Sequence, residues 1–322
     1  MATARRIDQV EQQMTSRGEA PFHVSGGGHE GTAALALHLT PDDWLHCHYR
    51  DKALLLARGM TAGDFINGLL CNSRSSSQGR QMCSHLSAPH LNIISMAVPV
   101  GNNALQSVGV AEAIQHRSGS PLVLCAVGDD ATQEGEFLEA VSEAVRRRLP
   151  IIFLIEDNQW AISTRTTGQT FYSLPRDRGD QFMGTDVHRL DGRDPIAAYE
   201  GFGEIVQRLR QYREPVLVVL EVERLTSHTN ADDQRLYRDE KDIRRAADCG
   251  DPVVYMKSYF LENGCDARVL ASLEEEIQAE VASAEIESLQ DGDPQPEFSA
   301  KIPLPIELTH LQNERRGLDG DS

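Results

Sequence analysis

Two short polar clusters each follow an apolar run directly: Gly128-Asp129-Asp130-Ala131 after Leu122 to Val127, and Glu156-Asp157-Asn158-Gln159-Trp160 after Ile151 to Ile155. The Asp129 carboxylate, the Asn158 amide oxygen and a backbone carbonyl, here that of Trp160, are hard oxygen donors. Mg2+ accepts such donors in octahedral geometry and shares its remaining positions with a diphosphate. Gly128 and Ala131 leave room for phosphate oxygens to approach the backbone N–H groups of the turn. Taken singly, each cluster is an ordinary turn or strand end. Their conjunction, with a helix between them, is what points to a metal-bound diphosphate cofactor.

That conjunction depends on the intervening elements. Between the two runs, Phe137, Leu138, Val141, Ala144 and Val145 gather on one face of a helix over Glu134 to Arg148. Strand, helix and strand joined by a right-handed crossover bring the carboxyl ends of two parallel strands to one sheet edge. In open α/β sheets, ligands bind at that edge. A further helical stretch, Ala197 to Tyr212, followed by the apolar run Val216 to Val222, repeats the pattern. Helices are also expected over residues 6 to 18, 32 to 38, 104 to 116 and 267 to 289. The fold class read from this alternation is α/β, a mostly parallel sheet flanked by helices. Residues 1–262 are expected to form that domain with its N-terminal helical segment, 263–290 a C-terminal helical extension, and 291–322 an exposed tail or linker.

The stretch Gly128 to Thr164 resembles the thiamine-diphosphate motif of the alpha subunits of 2-oxo acid dehydrogenases, the branched-chain, pyruvate and acetoin enzymes among them. The likeness covers most of the chain. Thr40-Pro-Asp-Asp-Trp-Leu, His48-Tyr49-Arg50-Asp51 and Leu54 to Gly59 are similar to the family's N-terminal region, and Gly79-Arg80-Gln81-Met82 to a segment of the branched-chain enzymes. Val98-Pro99-Val100-Gly101 and Gln106 to Gly109 look like the segment whose backbone holds the aminopyrimidine. Ser227-His228-Thr229-Asn230 to Asp233, with Tyr237-Arg238, resembles an active-site loop.

The resemblance implies a thiamine-diphosphate-binding fold and a set of roles. Tyr49 and Arg50 would reach the diphosphate, the backbone near Val100 would hold the aminopyrimidine, and Gly128, Asp129, Asp130, Ala131 and Asn158 would surround the diphosphate and its Mg2+. His228 would be the catalytic histidine, bound against the cofactor and handling protons as the acyl group leaves. The implied reaction is oxidative decarboxylation of a small 2-oxo acid, branched-chain first and pyruvate or acetoin next, with acyl transfer to a lipoyl-bearing acyltransferase component. A beta subunit, as a separate chain or a fused C-terminal half, would supply the activating glutamate in an α2β2 assembly. Two positions depart from the family: Asp130 stands where glycine is usual, and Asp157 replaces the first asparagine of an Asn-Asn pair. A second carboxylate beside a diphosphate weakens binding unless it turns away or meets a cation. A non-catalytic scaffold subunit is therefore the competing reading.

Composition narrows the remaining classes. With 49 acidic and 31 basic side chains the chain carries a formal charge of -18, which repels nucleic acid and anionic membranes alike. No apolar stretch reaches the roughly 18 residues of a bilayer span, and a cytoplasmic location is expected. The six cysteines are irregularly spaced and read as reduced thiols. In His46-Cys47-His48, strand alternation would turn Cys47 away from both histidines. Gly26-x-Gly28-x-x-Gly31, with Asp51 further on, satisfies a dinucleotide fingerprint if Phe22 to Ser25 is a strand. His29, Glu30, His85 and His90 are further polar candidates without an assigned role.

Overall fold

The computed structural model describes residues 1–294. Its strands are β1 (Trp44–His46), β2 (Val123–Gly128), β3 (Ile151–Asp157), β4 (Trp160–Ala161), β5 (Thr164–Arg165), β6 (Gln181–Phe182), β7 (Thr185–Asp191) and β8 (Val216–Glu221). Its helices are α1 (Ala2–Ser16), α2 (Thr32–Ala36), α3 (Lys52–Ala57), α4 (Ala62–Leu70), α5 (Asn102–Ile114), α6 (Gly135–Arg147), α7 (Pro195–Tyr212), α8 (Glu240–Cys249), α9 (Pro252–Glu262) and α10 (Ala267–Leu289).

The main sheet runs β1-β2-β3-β8-β7-β6, parallel except for the β6–β7 hairpin at its edge. The apolar runs form its centre because strands covered on both faces cannot carry polar side chains on either. Alternation divides their residues. Leu124, Ala126, Ile152, Leu154, Val218 and Leu220 pack with Ile7, Leu54, Ile66 and Phe202 of α1, α3, α4 and α7. Val123, Cys125, Val127, Ile151, Phe153 and Ile155 meet Ala104 and Ala111 of α5 and Phe137, Ala140 and Ala144 of α6 on the other face. The architecture is the expected one, a mostly parallel sheet between two helical layers. From α10, Ile277 and Val281 join the first cluster, and the Ser288 carbonyl accepts from Asn72 Nδ2 at 3.1 Å. Residues 295–322 of the expected tail lie outside the described residues.

The glycine-rich segment is not a dinucleotide loop. No strand forms over Phe22 to Ser25, and α2 is only five residues long. A Cβ at Gly28, where φ is +98°, would collide with the Glu223 carbonyl oxygen, and one at Gly31 with that of Gly192. These glycines let the segment lie against the chain that follows β7 and β8. Nor is His46-Cys47-His48 a strand throughout. β1 ends at His46, whose Nε2 pairs with the Ser95 carbonyl at 3.0 Å, and His48 lies beyond it at the carboxyl edge.

A buried ion cluster fastens this segment. Lys52 on α3 meets Glu11 at 2.9 Å and Asp8 at 3.1 Å, both on α1, and donates to the Val24 carbonyl at 2.7 Å. Asp8 in turn accepts from the Ser25 hydroxyl and from the Gly26 N–H. Removing one partner of a buried ion pair leaves an uncompensated charge and costs about 3–5 kcal/mol. Lys52→Met is therefore expected to lose about that much stability in urea unfolding. A midpoint equal to that of the wild type would contradict the structural role given to the cluster.

Candidate active site

The geometry begins with strand register. Gly128 of β2 pairs with Glu156 of β3, so Asp129 and Asn158 leave adjacent parallel strands, about 4.8 Å apart, at one sheet edge. Asp129 is buried and its Oδ2 accepts from the Thr166 hydroxyl just after β5. Burial, then the neighbouring Asp157 charge, holds the Asp129 carboxyl well above the usual carboxylate range. Burial raises Asp157 as well. Two crowded acids in a low-dielectric site favour a shared proton or a cation. Asn158, also buried, accepts the Trp160 N–H on its Oδ1 at 3.0 Å. Trp160 is held from outside by the guanidinium of Arg165, 4.2 Å from the ring centroid, and by Arg238 at 5.4 Å.

Beside this edge lies a small cavity of about 60 Å³, bordered by Tyr49, Val100, Gly128, Asp130 and Ala131. Val100 stands at its rim, 53% exposed. A Cβ on Gly128 would come within 3.0 Å of Asp130 Oδ1, a tight contact with the end of a side chain, and 3.5 Å of His48 Nε2, an ordinary one. Asp130 folds back onto its own turn, its Oδ1 accepting from the Ala131 N–H at 2.9 Å. Burial raises its pKa and the nearby Arg50 charge partly opposes that shift. The extra carboxylate thus both turns aside and has a cation in range.

From the other side come Arg50 and His228. Arg50 is almost wholly buried; Nη1 donates to the Ser25 carbonyl at 2.5 Å, and Nη2 lies 3.0 Å from His228 Nδ1 and 3.1 Å from the His228 carbonyl. The Tyr49 ring sits under the guanidinium at 5.1 Å and edge-on to His228 at 6.3 Å. The His228 backbone N–H donates to Asp232 at 2.8 Å, and Tyr237 donates to the same carboxylate at 2.5 Å. The sequence candidates therefore assemble as two groups around one edge: Asp129, Asn158 and Trp160, and Tyr49, Arg50 and His228, with Gly128 to Ala131 and Val100 at the cavity. His85 stacks on Tyr49 at 6.2 Å and is tied to the Cys83 carbonyl at 2.9 Å. His90 is exposed on the turn Pro89–Leu91.

Sequence reasoning gave no role to a buried row behind Asn158. His29 Nδ1 lies 2.5 Å from Glu156 Oε2, and His29 Nε2 lies 3.3 Å from Asn158 Nδ2. The signal available was an acid at Glu156, near the end of a fully buried strand, where an unpartnered carboxylate is costly. Glu30, by contrast, accepts from Arg5 at 2.6 Å and from the Gly28 N–H at 2.7 Å and is structural.

The residues fit an anionic ligand held by a cation. Arg50 Nε is buried without a partner, a donor in wait for an acceptor, and Asp129 with Asn158 forms a hard oxygen set.

Sequence comparison places this geometry. The profile of the family described as "Dehydrogenase E1 component" matches residues 1–297. The chain belongs to that family, which is thiamine-diphosphate-dependent. It is 30% identical over 260 residues to the mitochondrial 2-oxoisovalerate dehydrogenase subunit alpha of Caenorhabditis elegans, covering 80% of this chain and 60% of that protein. It is 30% identical over 268 residues to the Bacillus subtilis 2-oxoisovalerate dehydrogenase subunit alpha, covering 82% and 80% of the two chains. A 3-methyl-2-oxobutanoate dehydrogenase subunit alpha of Mycobacterium tuberculosis is 30% identical over 280 residues, covering 87% and 72%. The match thus spans only about 60% of the length of the nematode relative. Among the described residues no helix is long and apolar enough to cross a membrane.

Burial, then the charges of Arg50 and Arg224, lowers the His228 pKa from 6.5 to about 4. An imidazole with a depressed folded-state value contributes full stability above pH 6.5 and loses that contribution as pH falls towards 4. His228 is therefore neutral throughout the neutral range. An NMR titration of the full chain is expected to give His228 a midpoint below 5; a midpoint at 6.5 would contradict the electrostatics described.

Proposed function

We propose that this chain is the alpha subunit of the decarboxylating dehydrogenase component of a 2-oxo acid dehydrogenase complex. Its substrate is a branched-chain 2-oxo acid, and the acyl group passes to a lipoyl-bearing acyltransferase component. The observation that carries the reading is the meeting of Asp129 and Asn158 at one sheet edge, opposite a buried arginine with an unused donor. The names of the relatives support the branched-chain choice over pyruvate or acetoin.

In this reading Asp129, Asn158 and the Trp160 carbonyl hold Mg2+, and Arg50 and Tyr49 take the diphosphate from the other side. The turn Gly128 to Ala131 offers its backbone N–H groups apart from that of Ala131, which Asp130 takes. The backbone around Val100 borders the aminopyrimidine. The carbanion chemistry for loss of CO2 comes from bound thiamine diphosphate. His228, neutral and held by Arg50 and Asp232, accepts from Arg50 on Nδ1, so its proton sits on the free Nε2, where it would be given up and recovered. Trp160, buried against Tyr237 and beneath Arg165, keeps this part of the edge apolar.

A beta subunit, separate or fused, completes the site in an α2β2 assembly. For the chain itself we propose an α/β domain over residues 1–262 and a helical extension over 263–290 seated on it. The six unpaired cysteines fit a reducing compartment, and the cytoplasm is the proposed location.

The test is turnover of the chain assembled with its beta partner, measured with an artificial electron acceptor. The expected order is a kcat/KM for 3-methyl-2-oxobutanoate at least about tenfold above that for pyruvate, a ratio of the size that one or two methyl groups in an apolar pocket provide. Preference for pyruvate would refute the substrate class. No turnover, despite cofactor binding, would favour a scaffold subunit.

A further inference from the structure

The row behind Asn158 has a direction that can be worked out from donors and acceptors alone. Asn158 Oδ1 faces the Trp160 N–H at 3.0 Å. Turning the amide over would set its NH2 against that N–H, donor against donor, so the oxygen belongs where it stands. The amide nitrogen then faces His29 Nε2 at 3.3 Å. An amide nitrogen only donates, so Nε2 carries the lone pair and the proton is on Nδ1. Nδ1 donates that proton to Glu156 Oε2, 2.5 Å away. The last atom of the row, Glu156 Oε1, is buried with no other partner than the equally enclosed Asp51, whose Oδ1 is likewise unpaired. Both groups are fully buried, and one proton between two such oxygens satisfies them both.

We propose that His29, oriented by Glu156 and Asp51, is a positioning residue that sets the Asn158 amide with its oxygen towards the metal edge. The inference rests on the cation-site reading above. An asparagine offers a metal an oxygen or nothing, since its nitrogen has no available lone pair. A free amide samples both faces, and only one of them binds. Trp160 and His29 select that face from opposite ends, one by donating to the oxygen and the other by accepting from the nitrogen. His29 is itself immobile, being buried and pinned by Glu156 from the adjacent strand end. Partners that orient a metal ligand in this way typically contribute 10- to 100-fold to metal affinity.

The same side chains, with His48, converge closely enough to hold a metal themselves, their donor atoms lying within 4.8 Å of one another. The His29–Glu156 spacing speaks against this. Two donors bound at about 2.0–2.1 Å to one tetrahedral ion stand roughly 3.3 Å apart, and 2.5 Å is the distance of a shared proton.

The test measures Mg2+ dependence and not turnover. Thiamine diphosphate binding to the full chain in its purified assembly is titrated by calorimetry over a range of Mg2+ concentrations. His29→Leu is expected to raise the Mg2+ concentration needed for half-maximal binding by about 10- to 100-fold, with binding recovered at saturating Mg2+. His29→Gln, which keeps an acceptor towards Asn158, is expected to recover most of the loss. Arg50→Met, which acts on the diphosphate, is expected to weaken binding at every Mg2+ concentration. An unchanged Mg2+ dependence in both His29 variants, with normal binding by the wild type, would overturn the positioning role alone. If His29→Leu does not fold, His29→Phe, a ring of similar size that offers Asn158 no acceptor, takes its place: a raised Mg2+ requirement supports the role and an unchanged one overturns it. Absence of Mg2+-dependent binding in the wild type would overturn the functional reading and this inference with it.

Discussion

The pairing of Gly128 with Glu156 across two parallel strands is the constraint on which the site depends. A slip of one residue would turn the apolar side chains of β2 towards the opposite helical layer and carry Asp129 away from Asn158. The register is held by burial on both faces: Leu124 and Ala126 pack into one core, Cys125 and Val127 into the other. A crossover through α6 of ordinary length then suffices to bring two distant polar clusters to one edge. The crowded acids there are tolerated because the edge is also where a cation and a diphosphate would be received.

The second half of the site is built differently, from segments without regular structure. Arg50 follows β1 and His228 lies in the chain after β8; Arg50 is tied to the glycine-rich segment at Ser25, and His228 is tied to it through Arg50. Close packing at Gly28 and Gly31 and the buried Lys52 cluster fix that segment to the body of the fold. What resembles a nucleotide-binding loop in sequence is thus a structural brace. Its effect on function is indirect: it holds the guanidinium and the imidazole at hydrogen-bonding distance from each other.

The central strands and their helices were legible in sequence because burial on both faces leaves an unambiguous apolar signature. β2, β3, β8, α6 and α10 appear within a residue or two of the expected positions. β7 was not legible: Thr185-Asp-Val-His-Arg-Leu-Asp lies near the sheet edge, and its polar residues, Asp186 exposed and His188, Arg189 and Asp191 half-buried, hide the strand. The helices α4, α8 and α9 were passed over as well, the first for its brevity and the others for the polar composition around them. For the site, motif residues gave the edge chemistry. The row from Asp51 through Glu156 and His29 escaped notice because its members come from three separated segments and its meaning lies only in their hydrogen-bond directions. Asp130, which threatened the cofactor reading on charge alone, is accommodated by a turn contact that no sequence pattern announces.

The central claim is that Asp129 and Asn158 share one divalent ion that pins a diphosphate against Arg50. A crystal structure of the assembly grown with thiamine diphosphate and Mn2+, with the metal located by its anomalous signal, addresses it most directly. The account predicts a single metal peak bonded to the Asp129 carboxylate and the Asn158 amide oxygen, at roughly 2.1–2.2 Å, with diphosphate oxygens completing an octahedron. A peak that touches only one of these side chains, or a diphosphate bound elsewhere on the chain, would contradict it.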